Sequence, residues 1–100
     1  MVPIGVMVQL SKRTLFRIPT TWRDRMNIKQ GKIAKIYIQN NSIVIKVCDQ
    51  YTVEINSTIG RDGQIYIPAE VRNYFYLKGI KRFKVFIDEI NKNIILIPSD

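Results

Sequence analysis

One hundred residues, 46% of them hydrophobic, suit a single compact domain. Sixteen Lys and Arg against eight Asp and Glu leave a net charge of +8, a balance that favours an anionic partner. There is no histidine and only one cysteine, which excludes histidine acid–base catalysis, histidine or multi-thiolate metal sites and an internal disulfide.

In chain order, Val6, Val8 and Leu10 alternate as a first strand. Residues 1–10 are apolar but lack a basic leader and a small-residue cleavage site, so they read as strand and not as signal peptide. Residues 11–14 form a turn carrying Lys12 and Arg13. A second strand over 15–18 turns Phe16 and Ile18 inward and Leu15 and Arg17 outward. Thr20 or Thr21 is placed to cap a short helix over 21–26, with Trp22 and Met26 on one face. A third strand over 32–39 buries Ala34, Ile36 and Ile38. Asn40 and Asn41 make a turn, because asparagine tolerates left-handed geometry, and a fourth strand covers 43–47. Cys48, after Val47, reads as a buried thiol.

Asp49 and Gln50 are the only linker, too short for a flexible tether. The order then repeats: a strand over 51–58, a turn over 60–63, a strand over 64–67, a helix over 69–76, and strands over 82–88 and 94–97. Pro68 ends the strand, since it has no N–H for a ladder, and opens the helix; Glu70 suits the positive end of that helix. At an offset of 49 residues Ile18 falls on Ile67, Pro19 on Pro68, Arg23 on Arg72, Lys29 on Lys78, Lys32 on Lys81, Lys35 on Lys84 and Ile38 on Ile87. The chain is therefore read as an internal duplication, with repeats over 1–48 and 51–100. A unit of half this length buries too little surface to fold easily alone, and two interleaved units share a core. Phe83 against Ala34 makes that core asymmetric in volume.

Gly63-Gln64-Ile65-Tyr66-Ile67-Pro68-Ala69-Glu70-Val71-Arg72 resembles the signature of the AbrB/MazE/SpoVT family of swapped-hairpin DNA-binding domains. The first repeat, from Leu15 to Arg23, is a weaker copy, with Thr14 at the turn glycine and Thr21 at the glutamate. The resemblance implies a mainly β fold with two short helices. Two ββαββ units would interleave into one small swapped-hairpin β-barrel, here as an intramolecular pseudo-dimer. It also implies that the surface formed by the two turns and helix starts faces DNA.

The residues point the same way. Repeat 1 carries nine basic side chains and one acid, a net of +8; the remaining residues carry seven of each, a net of 0. Concentrated positive charge in one repeat fits a nucleic-acid surface better than general solubility. The DNA-contacting candidates are Lys12, Arg13, Arg17, Arg23, Arg25, Arg61, Gln64 and Arg72, with Leu15 and Tyr66 beside them. Arginine reads guanine edges bidentately or clamps phosphate, and lysine acts as a point charge. For Arg61 and Arg72 the competing reading is pairing with local acids, Arg72 with Glu70 or Asp62. Asp88 and Glu89 read as a solvated turn, and neither Ser11 nor Ser57 has a base beside it.

The sequence therefore predicts a non-enzymatic, cytoplasmic, nucleoid-associated transcription regulator that binds double-stranded DNA with sequence bias. It predicts no cofactor, no metal, no small-molecule substrate and no membrane span. Self-association beyond the single chain stays open. The alternative is an antitoxin-like or other protein-interaction module, against which counts the lack of an extended tail after Pro98.

Overall fold

Asn40 and Asn41 both adopt positive φ, 52° and 60°, the geometry of a tight hairpin turn. They join β3 (Ile33–Gln39) to β4 (Ser42–Cys48) in register from Gln39↔Ser42 to Ile33↔Cys48. In the second half β7 (Arg82–Asp88) and β8 (Asn93–Pro98) form the matching hairpin. Its turn is closed by Asp88, which accepts from the Asn91 amide nitrogens, and by Lys92 at φ 58°. The computed structural model describes residues 1–12 and 14–99.

The other elements are β1 (Val2–Gln9), β2 (Leu15–Arg17), α1 (Thr20–Met26), β5 (Asn56–Thr58), β6 (Gln64–Tyr66) and α2 (Ala69–Tyr76). Strands β1-β7-β8-β4-β3-β5 build one antiparallel six-stranded sheet, and β2 pairs with β6 as a separate two-stranded ribbon. Exchanging the halves reproduces this order. The registers agree as well: Arg82↔Gln9, Phe83↔Val8 and Lys84↔Met7 at one end of the sheet match Ile33↔Thr58, Ala34↔Ser57 and Lys35↔Asn56 at the other, each displaced by 49 residues.

The inward face of the sheet carries Ala34, Ile36, Ile43, Ile45, Phe83, Val85, Ile87, Ile94 and Leu96, all 1% exposed or less. Met26, Val71 and Phe75 of the helices and Phe16 and Ile65 of the ribbon close over it. Phe75 meets Phe83 edge-on, with ring centroids 4.9 Å apart. The large side chain at position 83 is thus filled against the second helix. Each such burial contributes roughly 1.5–3 kcal/mol, and neither helix is long and apolar enough to cross a membrane.

Four expectations are corrected. The sheet is not closed into a barrel: β1 and β5 are its edges and do not pair. The strand expected over 51–58 is reduced to Asn56–Thr58. There the Asn56 side chain donates to the carbonyls of Thr52 and Glu54, and the Glu54 N–H donates to Thr52 Oγ1. Such side-chain bonds compete with a ladder, so residues 51–54 fold off the sheet, and Ile55 keeps one bond to it, from the Ile36 N–H to its carbonyl. Pro19, not a threonine, occupies the cap of α1, and no side chain caps that helix. Cys48 is half-buried, its thiol directed at the Lys46 carbonyl at 3.7 Å.

Candidate nucleic-acid interface

The β2–β6 ribbon takes one strand from each half. The register Leu15↔Tyr66, Phe16↔Ile65, Arg17↔Gln64 sends Phe16 and Ile65 into the core and leaves the alternate residues on the outer face. Leu15 is 53% exposed and Tyr66 36%, with Arg17 exposed and Gln64 half-buried beside them. With the Gln64 amide turned so that its oxygen faces the guanidinium, Arg17 Nη2 donates to it at 2.9 Å. The pair is thereby held side by side, with the guanidinium's remaining donors free for an acceptor.

A turn leads into each strand of the ribbon. Lys12, exposed, precedes β2; Arg61, exposed, precedes β6. The second turn, Arg61–Gly63, places Asp62 at φ 57° and Gly63 at φ 72°. Glycine is required at position 63 on two counts: the positive φ, and the stem of Arg23, which lies where a Cβ would be. The first turn has Thr14 in place of that glycine. Thr14 is buried, accepts from the Ser11 N–H at 2.9 Å and donates back to the Ser11 carbonyl at 3.1 Å. A side-chain lock thus replaces a backbone freedom, a role that nothing in the type or spacing of Thr14 announces.

The two helix arginines at matched positions sit against these turns, and they differ. Arg72 is only 8% exposed. Its Nε donates to the Ile67 carbonyl at 3.1 Å and its Nη1 to the carbonyls of Ser11, at 2.9 Å, and Lys12. Its Nη2 donates to the Tyr66 hydroxyl at 3.1 Å. The structure thus spends the donors of Arg72, a residue expected at the DNA surface, inside the protein. Its donors clamp the first turn to the second helix, and it pairs with neither Glu70 nor Asp62. Arg23 is half-buried and donates to Thr20 Oγ1 at 2.6 Å, while its Nε is buried without a partner among the described residues.

Arg25 is not brought to the ribbon by any contact. It is ion-paired with Glu89 at 2.7 Å and lies over the Trp22 ring at 4.8 Å, in a depression shared with Lys32, Asp49 and Lys92. Trp22 is half-buried and packs on the core. Arg13 lies outside the described residues.

The assembled surface thus comprises Arg17 and Gln64 at its centre, Leu15 and Tyr66 beside them, and Lys12 and Arg61 on the turns. None of Lys12, Arg17 or Arg61 joins an ion pair among the described residues. Such a surface offers several cationic donors, one amide and an aromatic hydroxyl, with the Asp62 carboxylate on the second turn. The chain matches no family model, no curated protein and no solved structure.

Proposed function

We propose that the chain is a sequence-biased double-stranded-DNA-binding transcription regulator, built as an AbrB-like swapped-hairpin pseudo-dimer within one polypeptide. The observation that carries this reading is the ribbon: a two-stranded antiparallel element, one strand from each half, with unpaired cations on its exposed face and flanking turns. The major groove of B-DNA admits a two-stranded ribbon. Arg17 and Gln64 are side chains of the types that read guanine and adenine edges there, while Lys12 and Arg61 suit phosphate. Strand exchange between the halves, in matched register, supports the pseudo-dimer part of the reading.

Selection from a random duplex pool, followed by titration of the enriched duplex, tests the proposal. One enriched motif is the expected result; equal recovery of all sequences would remove sequence bias. Four to six phosphate contacts give log K falling against log salt with a slope of about −4 to −5. A flat salt response removes DNA from the reading.

A further inference from the structure

We infer that the outer edge of β3 accepts an extended peptide from a partner protein as an added strand, one that carries alternating apolar residues and a basic side chain. This goes beyond DNA binding and does not rest on it. The edge is open. Ladder pairing of β3 with β5 ends at Lys35↔Asn56, followed by a single bond from the Ile36 N–H to the Ile55 carbonyl at 2.9 Å. By strand alternation the next N–H and C=O on that side belong to Ile38, and no backbone partner meets them among the described residues.

The other half of the molecule contains the filled version of this edge. Ile87, the counterpart of Ile38, pairs with Val2, and Phe86, the counterpart of Tyr37, pairs with Pro3. Ile4, next along β1, packs on the core. On β3 the corresponding residues 51–54 are absent from the edge, because Asn56 clips them back and the Glu54 carboxylate is held by Lys35 at 2.9 Å. That ion pair also raises the Lys35 pKa, through its hydrogen bond to Glu54.

A cleft of about 270 Å³ opens beside the bare edge, lined by Ile36, Ile38, Ile55 and Val71 with Glu54 and Glu70. Val71 stands where the other half has Trp22, whose indole packs on the core. The second half therefore has a small side chain at the position the first half fills with its largest one. Glu70 joins no ion pair among the described residues. An incoming strand finds backbone groups to pair with, an apolar slot for one side chain and a carboxylate for a cation. These are the components of recognition by strand addition.

The probe is acetyl-Lys-Val-Thr-Ile-Lys-amide, titrated into the intact protein while amide shifts and hydrogen exchange are recorded. The expected result is saturable binding that slows exchange of the Ile38 amide. Replacing both lysines of the probe by glutamate, or N-methylating its central amides, should abolish that slowing. Glu70→Gln, an exposed helix-start change that leaves the fold intact, should weaken binding about two- to five-fold, the range of an exposed ion pair. The inference is overturned if the Ile38 amide exchanges at the same rate with and without peptide. Equal binding of the acidic probe overturns it as well. So does slowing of that amide by Asn56→Ala with no peptide present, because residues 51–54 would then be the occupant.

Discussion

The two halves share one topology and one register yet differ in how each position is used. In the first half β1 runs eight residues along the sheet; in the second, β5 manages three. In the first half the turn before the ribbon is locked by Thr14 and by Arg72 reaching across; in the second it rests on Gly63, with Arg23 lying over it and one donor unmatched. The first half carries +8 and the remainder 0. Once paired strands fix the frame, each half can specialise. One takes on charge, and the other supplies the buried arginine that braces its neighbour.

The largest test separates the halves. β1–β7, β2–β6, β3–β5 and β4–β8 all join one half to the other, and only the two hairpins are internal to a half. Fragments divided between Asp49 and Gln50 should each be unfolded or self-paired by circular dichroism and light scattering. A fragment that remains monomeric and melts cooperatively breaks the comparison at its root. Next comes the arginine pair. Arg72→Met strands the carbonyls of Ser11, Lys12 and Ile67, so it should cost about 3 kcal/mol in denaturant unfolding, whereas Arg23→Met should cost under about 1 kcal/mol. Equal losses would mean that both arginines brace the turns alike.

A smaller effect is expected in DNA binding. Arg17 projects from the basic half, while its counterpart on the ribbon is Tyr66 and the second turn bears Asp62 beside Arg61. Arg17→Ala should weaken binding to the selected duplex by about 1–3 kcal/mol if it reads a base, and Arg61→Ala by less. The selected site should not be palindromic. Titrations at one salt concentration in which Arg61→Ala hurts more than Arg17→Ala would reverse the assignment of affinity to the first half.

The smallest effect distinguishes the two hairpin turns. Hydrogen bonds from Asn91 hold the Asp88 carboxyl below its ordinary pKa of 3.8. A lowered folded-state pKa stabilises the fold above the ordinary value, and that contribution is lost as pH falls through the folded value. The melting temperatures of the protein and its Asp88→Asn variant should therefore differ slightly at pH 5 and converge toward pH 2. The Asn40-Asn41 turn has no such group, and a gap that persists unchanged at pH 2 would remove the carboxylate from the second turn's stability.

Much of the frame was legible in the residues. The spans of α2 and β7 follow from Pro68 and from the alternation of Phe83, Val85 and Ile87, and the offset of 49 anticipates the matched registers. What sequence could not reveal depends on contacts between residues far apart in the chain. Arg72 looks like any surface cation until Ser11 and Lys12, some sixty residues away, present their carbonyls to it. Tyr51, Val53 and Ile55 alternate like a strand, but a single asparagine amide two bonds deep in the local backbone outcompetes the ladder. Proximity in sequence groups Arg25 with the turn cations, and the fold hands it to Glu89 on the far hairpin.

The short connection between the halves sets how the molecule behaves when scarce. Two separate subunits that complete one another come apart on dilution, and their occupancy of a target then falls with the square of concentration. Here the complementary strands are tethered through Asp49 and Gln50, so each half meets the other at an effective concentration on the order of millimolar, whatever the number of molecules in the cell. Assembly of one half with the other is unimolecular, and does not depend on the amount of chain made.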